Sequence, residues 1–144
     1  MQDKQSFLKT VIAYADRRGA ASTPFQSDIE GLSVVRSTSP TSLEASNYVP
    51  IICLVLQGAK EVYLGNTPVR FAAGDTLIIS HSIPTVSRVR AASVEAPYVL
   101  LALTLDIALL RRLAAEHPHI GAYKSRFRCV SVAAGESDTK LYGA

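Results

Sequence analysis

The sequence predicts a mainly β domain, a small antiparallel barrel or sandwich with a helix near each end. Three observations predict it. Between Cys53 and Asp75, in CLVLQGAKEVYLGNTPVRFAAGD, the turn signals Gln57-Gly58, Gly65-Asn66 and Gly74-Asp75 recur at short intervals. The segments between them alternate their side chains, as strands joined by tight turns do. Two other runs, Ile51 to Leu56 and Tyr98 to Leu105, are almost wholly apolar and read as core strands. At both ends of the chain the apolar spacing lengthens to the helical period.

Taken in order, Phe7, Leu8, Val11, Ile12 and Ala15 form one stripe of an amphipathic helix, which the small and breaking residues from Gly19 to Pro24 end. Leu32 to Arg36 is the first strand, and Ser37-Thr38-Ser39-Pro40-Thr41-Ser42 is a polar loop. Ile51 to Leu56 is apolar at both parities, so both its faces are expected to be covered at the centre of the core. Lys60 to Leu64 and Thr67 to Phe71 follow as half-buried strands in a meander with it. Thr76 to Ile79 is another strand, Pro84 ends a loop, and Thr85 to Arg90 carries Arg88 and Arg90 on one face. After the strand Tyr98 to Leu105, Asp106 caps a helix whose stripe is Ile107, Leu110, Leu113 and Ala114, widened by Leu109 and stopped by Pro118. Tyr123 to Val132 reads as one more strand, with Lys124, Arg126 and Arg128 toward solvent. The organisation expected is a helix and linker at 1–24, a barrel at 25–105, and a helix with a C-terminal segment at 106–144.

A chain of 144 residues, 48% hydrophobic and 19% charged, can bury a core without staples and is not disordered. It holds no apolar run long enough to span a membrane. Fifteen basic against 12 acidic residues leave +3, dispersed along the chain, whereas a nucleic-acid partner calls for a clustered basic face. Lys9 and Asp16-Arg17-Arg18 break the pattern of an export signal. Cys53 and Cys129 sit in apolar surroundings and read as reduced thiols of a cytoplasmic protein.

Catalytic patterns are missing from the sequence. The three histidines, His81, His117 and His119, are split between a loop and a helix end, so no metal set of two or three histidines with a carboxylate forms, and no metal or cofactor is expected. There is no Gly-x-Ser-x-Gly elbow, no Gly-x-Gly-x-x-Gly, and no positive charge beside Cys53 to activate its thiol. Asp28 and Glu30 read as loop solvation. Arg88, Arg90 and the basic set at 124–128 read as charges that blunt exposed strand edges.

The order PIICLVLQGAKEVYLGNTPVRFAAGDTLIISHSIPTVSRV (Pro50 to Val89), then APYVLLALTLDIALLRRL (Ala96 to Leu113), resembles the N-terminal domain of AraC-type bacterial transcriptional regulators. The resemblance covers about Gly31 to His119. It implies a cupin-like antiparallel β-barrel, a double-stranded β-helix, serving as the effector-sensing and dimerisation half of a regulator. Metal-binding cupins carry a His-x-His pair with a downstream Glu and a later His; here Gln57-Gly58-Ala59-Lys60-Glu61 and Ser80-His81-Ser82-Ile83-Pro84-Thr85 stand in those places. The resemblance therefore implies a metal-free barrel and no enzyme. Such regulators continue into paired helix-turn-helix motifs, toward which Asp138 to Ala144 would lead, so DNA contact is expected of the full-length regulator and not of this chain alone.

Within the barrel, Tyr63, His81 and Tyr98 are the candidate polar handles for a small, largely apolar or carbonyl-bearing effector, with Cys53 as a further lining candidate. Ile107, Leu110, Leu113 and Ala114 are the candidates for homodimer contact. Two other readings stay open: a cupin-type enzyme acting on a small metabolite, and a stand-alone dimerisation module.

Overall fold

The computed structural model describes residues 3–19, 24–119 and 132–136. Among these residues, ten strands and two helices follow in the order α1 (Lys4–Arg17), β1 (Phe25–Gln26), β2 (Leu32–Ser37), β3 (Glu44–Tyr48), β4 (Ile51–Gln57), β5 (Ala59–Leu64), β6 (Thr67–Ala72), β7 (Asp75–Ile79), β8 (Ile83–Ala91), β9 (Tyr98–Thr104), α2 (Ile107–Glu116) and β10 (Val132–Glu136). They make a six-stranded sheet, β1-β2-β9-β4-β7-β10, and a four-stranded sheet, β3-β8-β5-β6. Every pairing is antiparallel. Mainly β, cupin-like and flanked by two helices, the fold is the one expected.

Its topology corrects the meander. Of β4 to β7, only β5 and β6 form a hairpin, turning at Gly65-Asn66; β4 and β7 pair in the other sheet. The chain changes sheet at Gln57-Gly58 and again at Gly74-Asp75. These corners are tied together, for the Ala73 N–H donates to the Gly58 carbonyl at 3.1 Å and the Gly74 N–H to the Val55 carbonyl at 2.9 Å. Asp75 Oδ2 accepts the Ala72 N–H at 2.8 Å. A local turn signal looks the same whether a strand folds back on itself or crosses to the facing sheet; long-range pairing decides. Repeated crossing between two facing sheets is the jelly-roll solution to closing a small β-domain.

The core lies between the sheets. Cys53 and Val55 of β4, Leu77 and Ile79 of β7, and Tyr98, Leu100 and Ala102 of β9 meet Val62, Phe71 and Val89 of the smaller sheet. The other parity of the large sheet is covered by α1, where Val11 packs with Val34 and Val99, flanked by Phe7, Leu8, Ile12, Leu56 and Leu101. This is why β9 carries no polar alternation: both faces are packed. Asp3 caps α1 by accepting the Ser6 N–H at 2.7 Å. Two ion pairs, Arg36 with Asp16 and Arg18 with Asp28, moor the helix to the sheet and to the loop between β1 and β2. Asp28 therefore does more than solvate a loop, and the Arg18 hydrogen bond holds its carboxyl below the usual value.

Asp106 caps α2, its carboxylate accepting the Leu109 N–H at 3.0 Å. No residue of α2 is buried, and Leu109, Leu110 and Leu113 are 39–43% exposed. β10 comes from the segment 106–144 and extends the large sheet along β7, with Val132 opposite Ile79. The strand expected at 123–132 lies outside the described residues except for Val132, as do Cys129 and the basic set Lys124, Arg126 and Arg128. The edge-blunting reading of Arg88 and Arg90 is also corrected: β8 is an inner strand between β3 and β5. Arg88 points outward and pairs with Glu61 at 2.9 Å on the neighbouring strand.

Candidate barrel-interior binding site

Parity builds the site. Antiparallel register sets Lys60 opposite Phe71 and near Val89, Cys53 opposite Ala102 and Leu77, and Glu44 opposite Ser87. Since Phe71, Ala102, Leu77 and Ser87 are buried between the sheets, their partners face the same interior. These inward side chains leave a cavity of about 430 Å³. Ile51, Cys53, Leu77, Leu100 and Ala102 form its apolar wall. Ser37, Ser46, Ser87, Tyr48, Lys60 and Tyr98 supply polar atoms. The size falls in the lower part of the roughly 300–1,000 Å³ range of small-molecule pockets, and the mixture of lining groups is the usual one.

Tyr98 is the most constrained of these groups. The residue is 0% exposed, and its hydroxyl has no hydrogen-bond partner among the described residues. Burial, then the neighbouring Cys53 and Tyr48, push its pKa well above the ordinary phenol value, so it stays a neutral donor. A buried hydroxyl left unpaired costs about 1–3 kcal/mol, so nearly all such groups find a partner. Cys53 stands beside it, and burial pushes the thiol up to about 11, with Lys60 acting weakly in the other direction. A thiol in that state is a packing group and not a nucleophile. The Lys60 Nζ lies 5.5 Å from the centre of the Tyr48 ring, a cation–π contact.

Of the four residues singled out from the sequence as lining candidates, Tyr98 and Cys53 line this cavity, whereas Tyr63 and His81 do not. Tyr63 lies on the outer parity of β5, where its hydroxyl donates to Glu61 Oε1 at 2.9 Å. That bond and Arg88 lower the Glu61 carboxyl pKa. Tyr63 instead borders a shallow groove on the outside of the smaller sheet, with Leu43, Asn47, Pro84 and Val86. His81 is exposed in the loop after β7, its Nδ1 3.1 Å from the Ser80 hydroxyl. His117 and His119 meet edge to face at the end of α2, with ring centres 5.8 Å apart. Among the described residues, no three His, Cys, Asp or Glu side chains gather as a metal set. Sequence reasoning missed Lys60 and Tyr48. A signal for Lys60 was present, because it shares the parity of Val62 and Leu64, the apolar members of its strand.

Comparison with known proteins agrees with this architecture. The structure is similar to ToxT of Vibrio cholerae, with a TM-score of 0.58 at 10% identity, over 78% of this chain and 44% of ToxT. The chain thus spans less than half the length of ToxT. Weaker likenesses are to a cupin-2 domain protein of Shewanella frigidimarina, with a TM-score of 0.43 at 10% identity over 69% of this chain and 99% of that one. Another is to salicylate 1,2-dioxygenase of Pseudoaminobacter salicylatoxidans, with a TM-score of 0.35 at 11% identity over 89% and 34%. No curated protein matches the sequence. At these identities the neighbours speak for the fold alone. The family model for the AraC-type transcriptional regulator N-terminus matches residues 28–144, most of the chain, and the protein therefore belongs to that family.

Proposed function

We propose that this chain is the effector-sensing and dimerisation half of an AraC-type transcriptional regulator, acting in the cytoplasm. The observation that carries the reading is the cavity of about 430 Å³ between the sheets, into which the wholly buried Tyr98 brings a hydroxyl without a partner among the described residues. A small molecule binds there without a metal and is not transformed. Its effect is a shift between conformations, which requires that it bind one of them more tightly than the other. Ile107, Leu110, Leu113 and Ala114 on α2 meet the same face of a second copy. DNA is contacted by the full-length regulator, not by this chain, whose charge of +3 is modest. Cupin-type catalysis has no constellation to support it among the described residues.

The test is thermal denaturation of the 144-residue chain against a broad collection of small metabolites. At least one is expected to raise the melting temperature in the wild type and to lose its effect in Ala102→Met, which narrows the cavity. A ligand that stabilises a folded Ala102→Met as well as the wild type would mean that binding happens outside the barrel.

A further inference from the structure

Lys60 is turned into the barrel cavity by the parity of its strand, opposite Phe71 and Val89. Arg36 and Arg88 face the outer sides of the two sheets and are neutralised there. Arg36 pairs with Asp16 of α1, and Arg88 pairs with Glu61 on the outer face of the smaller sheet. Lys60 has no ion pair among the described residues, and only the Tyr48 ring stands against its ammonium. The acid that also lines the cavity, Glu44, belongs to the exposed edge strand β3 and is open to water. A half-buried ammonium without a carboxylate partner is a ready charge-assisted donor for an anionic ligand group.

Lys60, Tyr48, Cys53 and Tyr98 line the same cavity, with the Lys60 ammonium against the Tyr48 ring. An acceptor group bound there has a cationic donor and a neutral donor to draw on. The rest of the cavity offers Ile51, Leu77, Leu100 and Ala102, which reward an apolar body.

Building on the effector-binding reading above, we propose that the barrel selects a small monocarboxylate, its acid group bound by the Lys60 ammonium and the Tyr98 hydroxyl and its apolar body held against β4, β7 and β9. Charge-assisted bonds are about twice as strong as neutral ones, so the acid carries the selectivity and the apolar wall much of the affinity.

The experiment is calorimetric titration of the full chain with monocarboxylates of about five to twelve carbons, straight, branched and aromatic, each beside its primary amide, a size range suited to a pocket of this volume. At least one acid is expected to bind about tenfold more tightly than its amide, the gain of a charge-assisted over a neutral hydrogen bond. Lys60→Gln should erase that preference and Lys60→Arg retain it, while Tyr98→Phe weakens acid and amide alike, with circular dichroism reporting that each variant is folded. Acids and amides binding equally to the wild type would overturn the proposal and leave the barrel as a ligand site. So would an acid preference that survives in folded Lys60→Gln. Neutral compounds binding where no acid does would overturn it in the same way. No binding by any compound of the set, together with no stabilising metabolite in the wider collection, would remove both the proposal and the reading beneath it.

Discussion

Gly58 lies directly against Tyr98: a Cβ on this glycine would stand 3.0 Å from the Tyr98 Cα and 3.1 Å from its ring. Gly58 has a φ of +81° and sits at the corner where the chain leaves the large sheet after a bulge between Val55 and Gln57. The Gln57 side chain pins that corner by donating to the Pro97 carbonyl at 2.8 Å. The wall of the cavity and the crossing between sheets are therefore one piece of packing.

Gly58→Ala is expected to destabilise the fold by about 3 kcal/mol or more, because the left-handed backbone and a steric clash add. The added Cβ would meet the Ala91 carbonyl oxygen at 2.4 Å, a backbone atom that cannot step aside. Gly65→Ala is the control: its φ is +62° but nothing lies within 4 Å, so only the conformational cost of about 1 kcal/mol applies. Urea denaturation of the two variants measures the difference.

Cys53 should resist alkylation at neutral pH. In a Cys129→Ser background, iodoacetamide should label it far more slowly in the native state than in urea, with the native rate climbing as pH approaches about 11. The same shift bears on stability. The folded value lies above the unfolded one of 9.0, so its contribution is complete below pH 9 and is lost as pH rises toward 11. It amounts to roughly 2–3 kcal/mol at most by proton linkage. A pH series of denaturation midpoints in Cys53→Ala, which should lack that alkaline decline, checks it.

Leu110→Glu combined with Leu113→Glu is expected to abolish self-association in sedimentation while leaving the β signal in circular dichroism unchanged. The helix contributes no buried residue to the fold, so charges on its stripe have nothing internal to disrupt. Dimers persisting in the double variant would remove α2 from the interface.

Protein purified without added metal is expected to contain less than stoichiometric zinc, iron, nickel and manganese by elemental analysis. Its melting temperature should not move with a chelator. The positions where the resemblance would look for histidines hold Gln57 to Glu61 and Ser80 to Thr85, and the one histidine among them, His81, faces solvent.

Much of the fold was legible because its signals are local. The Asp106 cap, the stripe of Phe7, Val11 and Ala15, the turns at Gly58, Gly65 and Gly74, and the apolar runs of β4 and β9 each act through neighbours a few residues away. The two-residue β1 and the polar β3, with its Glu44-Ala45-Ser46-Asn47, carry no such signal. Both exist because a partner strand supplies the hydrogen bonds.

The site was half legible for a related reason. Alternation in Lys60-Glu61-Val62-Tyr63 separates two faces, so the order of residues alone puts Lys60 and Val62 on one and Glu61 and Tyr63 on the other. Which face is the interior was decided only by tertiary structure, when β5 paired with β6 and β8 and that sheet closed over β4, β7 and β9. That closure sent Tyr63 out to Glu61, turned Lys60 inward beside Tyr48, and buried the hydroxyl of Tyr98 without a partner among the described residues. The physical reason is range: periodicity is written by bonds along the chain, whereas inside and outside are assigned by apolar burial between strands far apart in sequence.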